Sequence, residues 1–131
     1  MATRSNIYLK LREEDRAKAH RTSCGLYVYP EGNQYLEVYC HFDGYPDGVG
    51  KTLQEMDMSY EDALKYILEG DRSTACTGGS YWKARKEDVP PMSTDEFMCE
   101  QGYAYLLEET EPGKPVKISC INGNGPVEMN K

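Results

Sequence analysis

The chain has 131 residues, of which 39% are hydrophobic and 28% charged, and its net charge is −7. This size and composition predict one globular domain over residues 1–131 and exclude a disordered chain. No stretch is apolar enough to span a bilayer, and the first residues lack an apolar signal region. The acidic charge argues against direct nucleic-acid binding, which needs cations against phosphates. We therefore expect a cytoplasmic protein without membrane association.

The chain contains an odd number of cysteines, and no two of them have the C-x-x-C spacing of redox or zinc motifs. There are five: Cys24, Cys40, Cys76, Cys99 and Cys120. An odd count without paired spacing argues against a disulfide framework and against a structural zinc site. We expect reduced thiols, no metal and no cofactor.

The first third of the chain predicts strands. Ile7, Leu9 and Leu11 alternate with other side chains, which is the periodicity of a strand. Residues 12–21 are charged and lack an apolar stripe, so they predict an exposed loop or a short solvated helix with His20 in solvent. Residues 24–29 and 35–42 are strand-like runs separated by turn-forming residues, which predicts a β-hairpin between them.

The middle of the chain predicts two helices after a glycine-rich loop over residues 43–50. A short helix is expected over residues 51–58. Ser59 and Asp62 resemble a capping box for a second helix, and Gly70 is placed to end it. The apolar stripe of this second helix consists of Tyr60, Ala63, Leu64, Ile67 and Leu68.

The last third predicts a second hairpin. Residues 103–108 and 116–121 are strand-like and are joined by a Pro-Gly-Lys-Pro turn. A short strand over residues 81–85 and one or two helical turns within residues 94–101 are also expected. The predicted fold class is α+β, with a mostly antiparallel sheet of about five strands and two helices packed on one face.

The segment from His41 to Thr52 is the most informative part of the chain. It reads HFDGYPDGVGKT and leads from a predicted strand through Gly44, Gly48 and Gly50 into a predicted helix. A helix N-terminus attracts anions, glycine permits close approach of a ligand, and Lys51 adds a cation. The spacing is not that of a P-loop, which has four residues between its first glycine and G-K-[ST], whereas five stand here. The sequence leaves open whether this segment is a looser phosphate site or only a turn.

Catalysis at the same segment has little support. Cys40 and His41 are neighbours on a predicted strand, so their side chains point to opposite faces and cannot form a nucleophile–base pair. His41 and Asp43 share a face but have no obvious nucleophile, and two ligands are too few for a metal site. We expect a hydrogen-bonded pair between His41 and Asp43 that holds the loop. Tyr45 and Lys51 are then expected to face a ligand or partner, with Arg4 as an additional cation.

Two motifs resemble those of small uncharacterised proteins common in bacteriophages and mobile elements. The motifs of that group are M-x-T-R-[SG] and H-[WF]-D-G-Y-P-x-G-x-G, and they match residues 1–5 and 41–50 here. The charged segment 12–21 departs from the group's pattern. The resemblance implies a phage or mobile-element setting, a role in countering host defence, and location in the host cell cytoplasm.

Three functions from different classes follow. The first is a small non-catalytic binding protein that acts on a host protein. The second is a protein that sequesters a phosphate-bearing nucleotide through the loop from Gly44 to Lys51. The third, ranked last, is a hydrolase using His41 and Asp43. The sequence favours the absence of enzymatic activity and leaves homo-oligomerisation open. The predicted ligand- or partner-binding residues are Arg4, His41, Asp43, Gly44, Tyr45, Gly48, Gly50 and Lys51.

Overall fold

The fold is known from a computed structural model that describes residues 3–22, 25–76 and 90–129. Its elements are eight strands and two α-helices in these three ranges, together with a 3-10 turn at Glu13–Asp15 and a π-helical turn at Pro46–Gly50. In chain order they are β1 Ser5–Lys10, β2 Ala19–Thr22, β3 Gly25–Val28, β4 Tyr35–Cys40, α1 Lys51–Met56, α2 Tyr60–Leu68, β5 Met92–Thr94, β6 Tyr103–Glu108, β7 Lys117–Asn122 and β8 Gly125–Val127. No helix within the described ranges is long and apolar enough to cross a bilayer.

Six of the strands form one sheet in the order β5-β4-β1-β6-β7-β8. All neighbours in it are antiparallel except β1 and β6, which are parallel. The remaining strands, β2 and β3, form a separate two-stranded sheet. The predicted α+β class with a mostly antiparallel sheet is confirmed, with six strands in the main sheet.

The alternation of side chains along β1 separates two faces of the main sheet. Ile7 and Leu9 point into the larger apolar cluster, whereas Tyr8 points to the opposite face. Both helices contribute to the larger cluster, with Leu53 from α1 and Ile67 from α2, so they cover one face as predicted. The opposite face is covered in part by Phe97, whose ring meets that of Tyr8 edge-on at 5.0 Å.

The hairpin predicted between residues 24–29 and 35–42 is wrong. β3 pairs with β2, while β4 lies between β1 and β5 in the main sheet. The apolar pattern explains the difference: β4 alternates between half-buried and fully buried positions, whereas Leu26 and Val28 of β3 are exposed. A strand that buries one face belongs in the main sheet, and β3 does not have such a face.

The segment of residues 12–21 is mostly exposed, as its charge suggested, but the expectation that His20 lies in solvent is wrong. It contains the 3-10 turn and β2, and His20 is only 7% exposed, with its Nε2 2.7 Å from the carbonyl oxygen of Asp15. The Tyr60 hydroxyl donates to the Asp15 carboxylate at 2.7 Å, and the Arg12 guanidinium lies over the Tyr60 ring and pairs with Glu109. Asp15 and His20 can be buried here because their polar atoms are hydrogen-bonded.

Of the other local predictions, some are confirmed and others are wrong. Ser59 caps α2 by accepting a hydrogen bond from the Asp62 amide, and Gly70, at φ 92°, follows the end of that helix, as predicted. α1 is shorter than predicted, because Asp57 adopts φ 50° and ends it. The hairpin of β6 and β7 is confirmed. Residues 94–101 form no helical turn, and the strand predicted over residues 81–85 lies outside the described residues.

Candidate functional site

The predicted site begins where β4 ends at Cys40. Asp43 adopts φ 57°, a left-handed conformation that aspartate tolerates better than most residues, and it turns the chain back toward β1. The amide of Gly44 then donates to the carbonyl of Thr3 at 2.8 Å. From inside the core, the hydroxyl of the fully buried Tyr105 donates to the carbonyl of Gly44 at 2.6 Å. The loop is therefore fastened both to the start of β1 and to β6.

The helical part of the segment starts at Pro46 and not at Lys51. Proline suits the first helical position, where its fixed φ and missing N–H cost nothing. The π-helical turn runs directly into α1, so Lys51 stands inside a continuous helical stretch and its amide is bonded to the carbonyls of Gly48 and Pro46. α1 begins at Lys51 as predicted, but the π-helical turn precedes it, so Lys51 does not lie at a free helix N-terminus.

This geometry removes the donors that a phosphate site would use. The amides of Gly44, Gly48 and Val49 donate to the carbonyls of Thr3, Tyr45 and Asp43, respectively, at 2.7–2.9 Å. A phosphate is held at a helix start by amides that have no other partner. The bonded amides here do not provide that chemistry.

Each of the three glycines lies too close to a neighbour to carry a side chain without movement. A Cβ on Gly44 would lie 2.8 Å from the carbonyl oxygen of Thr3, and one on Gly48 would lie 2.2 Å from that of Asp43. A Cβ on Gly50 would meet the side chains of Met129 and Tyr105 at 3.0–3.1 Å. The glycines therefore serve the packing of the turn.

The hydrogen-bonded pair predicted between His41 and Asp43 does not form. The Nδ1 atom of His41 lies 2.9 Å from the hydroxyl of Tyr39, and the Asp43 carboxylate accepts a hydrogen bond of 3.1 Å from the Tyr45 hydroxyl. The left-handed turn at Asp43 explains this, since it breaks the strand alternation that would have placed the two side chains together. The bond to Asp43 raises the pKa of Tyr45.

The segment presents aromatic side chains to solvent. Phe42 is 38% exposed and Tyr45 42% exposed, and the ring of His41 meets that of Phe42 edge-on at 4.6 Å. We call His41, Phe42 and Tyr45 the loop surface. The predicted cations Arg4 and Lys51 are both exposed, and neither forms an ion pair with another described residue. The backbone of Arg4 lies against Gly44, which places it beside the loop.

The thiol beside the loop is not activated. Burial raises the pKa of Cys40 to about 11, so at neutral pH it is protonated, and a thiol rather than a thiolate is a poor nucleophile. The S–H group lies 3.7 Å from the carbonyl oxygen of Phe42. Within the described ranges, no group of three or more histidine, cysteine or acidic residues is arranged to hold a metal ion, and the four cysteines there are free.

Sequence reasoning missed two features that shape this site. Tyr105 supports the loop from the core, but in the sequence it is one of eleven tyrosines with nothing to distinguish it. The backbone of residues 71–73 continues the sheet beside the end of β4, with the Arg72 amide donating to the carbonyl of Tyr39 and the Tyr39 amide donating to the Asp71 carboxylate. No local pattern marks either contact, because both join residues that are distant in sequence.

Comparisons with known proteins give no relative for this chain. No protein-family profile matches it, and neither a curated protein nor a solved structure gives a significant match.

Proposed function

We propose that this protein is a non-catalytic binding protein and that it docks a partner protein through the loop surface. The observation that carries the proposal is the exposure of Phe42 and Tyr45 on a loop whose backbone is held in place. Aromatic side chains on a fixed backbone bind with a small loss of conformational entropy, and such residues are common at the centres of protein interfaces. A connecting turn has no need of two exposed aromatic rings.

A protein partner fits the loop surface better than a phosphate-bearing nucleotide does. The amides that would bind a phosphate are already bonded to carbonyls of the chain, so Arg4 and Lys51 are the remaining support for the nucleotide alternative. Exposed lysine and arginine alone are common on protein surfaces. The hydrolase alternative loses its proposed catalytic pair, because His41 and Asp43 bond to different tyrosines.

The partner that we propose is a host protein, bound in the host cell cytoplasm to counter host defence. The support for this part is the resemblance of residues 1–5 and 41–50 to motifs of phage and mobile-element proteins. The net charge of −7 favours a partner with a basic surface, because complementary charge accelerates association.

The test removes the exposed aromatic rings and compares the result with an equal loss elsewhere. The double variant Phe42→Ala, Tyr45→Ala alters the loop surface. The matched control is Leu26→Ala, Tyr27→Ala, which removes exposed apolar side chains from the separate two-stranded sheet. Proteins captured from host lysate by the wild type are identified and purified, and their affinities for all three proteins are measured by calorimetry.

We expect the loop variant to lose at least about tenfold in affinity, since interface aromatics commonly contribute more than 1.4 kcal/mol. The control should bind like the wild type. Melting temperatures verify that both variants are folded. Equal affinity in all three proteins would contradict the proposal. Nucleotide retained by the purified protein in native mass spectrometry, and lost in Lys51→Ala, would favour the nucleotide alternative.

A further inference from the structure

The face of the main sheet that points away from the helices carries a group of polar side chains beside the loop surface. Asn6 lies opposite Tyr39 in the register of β1 and β4, and Tyr8 lies opposite Glu37. Alternation along each strand places all four on the same face, since Ile7 and Val38 belong to the helix-covered cluster. Asn6 and Glu37 are therefore diagonal neighbours on this face.

Glu37 is a half-buried carboxylate among other acidic groups. Burial raises the pKa of Glu37, and the nearby carboxylates of Glu100 and Asp71 raise it further. An interaction with the Tyr8 hydroxyl, which also donates to the carbonyl of Met98 at 2.9 Å, lowers the pKa of Glu37 and offsets part of this rise. None of the described lysines, arginines or histidines forms an ion pair with Glu37. The carboxylate thus has charged neighbours of its own sign, and no cation among the described residues pairs with it.

Asn6 independently indicates that a donor is missing at the same place. The side chain is only 5% exposed, and its buried Oδ1 atom has no hydrogen-bond partner. Buried amide oxygens in folded proteins almost always accept a hydrogen bond. The Asn6 Oδ1 atom can accept a hydrogen bond, and the Glu37 carboxylate beside it would be stabilised by a positive charge. A group that is positively charged and rich in N–H donors would satisfy both.

The surroundings of this group show how a partner would reach it. The Tyr39 hydroxyl lies 2.9 Å from Nδ1 of His41, and the ring of His41 contacts Phe42. The polar group is therefore continuous with the loop surface through one row of aromatic side chains. A protein segment that docks on Phe42 and passes over His41 reaches Tyr39 and Glu37 next.

We propose that the Glu37 face, defined as Asn6, Glu37, Tyr39 and Glu100, accepts an arginine side chain from the docked partner protein. The planar guanidinium offers five N–H donors, enough for the carboxylate and the amide oxygen together, and it stacks on aromatic rings such as that of Tyr39. A lysine ammonium has neither the planar fork nor the stacking surface. This inference rests on the proposed function, because it takes a protein segment as the occupant.

The experiment uses a minimal probe and so does not require the partner to be known. The full chain is titrated with acetyl-Gly-Arg-Gly-amide, and the side-chain amide resonances of Asn6 are followed by NMR. The matched probe contains citrulline, which keeps the shape of arginine and removes its charge. Glu37→Gln removes the carboxylate charge at constant shape, and Glu55→Gln removes one exposed charge from α1 as the control.

We expect the arginine peptide to shift the Asn6 resonances and the citrulline peptide to leave them unchanged. Binding should weaken about tenfold in Glu37→Gln and less than twofold in Glu55→Gln. Arginine and citrulline peptides of equal affinity, or equal affinities of the two variants, would overturn the inference. If Glu37→Gln does not fold, a measurement on the wild type replaces it. The NMR resonance of the Glu37 carboxyl carbon is followed against pH, and the pKa of Glu37 should be lower with the arginine peptide bound. An unchanged pKa would also overturn the inference.

The two proposals fail separately. Unaltered partner affinity in Phe42→Ala, Tyr45→Ala counts against the loop surface and leaves the peptide titration to decide the Glu37 face. If the arginine peptide does not reach the Asn6 amide, the Glu37 face is refuted whatever the loop variants show.

Discussion

Gly48→Ala tests whether the loop from Asp43 to Gly50 is a tightly packed unit. The added Cβ would lie 2.2 Å from the carbonyl oxygen of Asp43, whereas carbon–oxygen contacts are ordinarily longer than about 3.2 Å. The two groups must separate by about 1 Å, and the oxygen that moves is the one that accepts the Val49 amide at 2.7 Å. Val49 is buried, so its amide has no water to replace the lost acceptor.

The cost of this substitution has two parts. Leaving a buried amide unsatisfied costs about 1–3 kcal/mol, and overpacking costs a further 1–3 kcal/mol or so. A loss of about 2 kcal/mol or more should lower the melting temperature by roughly 6 °C at least in a domain of this size. The control is Gly32→Ala, where the added Cβ has no atom within 4 Å and stability should change by less than about 1 kcal/mol.

Differential scanning calorimetry and urea unfolding measure both variants. If Gly48→Ala melts within about 2 °C of the wild type, as Gly32→Ala is expected to do, the close contact is not a constraint and the account of the loop is wrong.

Three further predictions concern the supports and charges around the site. Tyr105→Phe removes the hydroxyl that donates to the Gly44 carbonyl and should lower the free energy of unfolding, measured in urea, by about 1–3 kcal/mol. The control Tyr103→Phe should lower it by less than about 0.5 kcal/mol. Equal effects of the two substitutions would contradict the role of Tyr105. Because burial raises the pKa of Glu37 above its ordinary 4.5, the folded state binds more protons than the unfolded state just above that pH, so this group should reduce stability as pH rises from 4.5 toward neutrality. Glu37→Gln should therefore gain stability relative to the wild type between pH 4.5 and 7, and parallel pH profiles would refute this assignment. Thiol titration under denaturing, non-reducing conditions should find all five cysteines free, and a single reactive thiol per chain would mean two disulfides.

Local signals in the sequence were sufficient for the elements that depend on neighbouring residues. The alternation at Ile7, Leu9 and Leu11 predicted β1 and its buried face, and Ser59 and Gly70 predicted the two ends of α2. Capping, turn formation and periodicity act over a few residues, so they can be read without knowledge of the tertiary structure. The fold class followed from the same signals.

The partner of each strand was decided by the tertiary structure. The residues of β3 and β4 are close in sequence and suggested a hairpin, yet β4 pairs with β1 and β5 because it has a face to bury in the main core. Backbone hydrogen bonds between strands are the same for any side chain, so the sequence near a strand does not specify which edge it joins.

The tertiary structure also decided which side chains meet at the candidate site. The sequence identified the loop and its glycines, but the left-handed turn at Asp43 separated His41 from its predicted partner and gave each residue a tyrosine instead. The hydrogen bond between Tyr105 and Gly44 joins segments that are distant in the chain, and so does the strand pairing that places Asn6 diagonal to Glu37. Local periodicity, capping and turn signals predicted β1, β3, β4, β6, β7 and both helices, but not β2, β5 or β8. Burial and long-range hydrogen bonding determined which side chains meet, because those energies depend on neighbours that only the folded chain supplies.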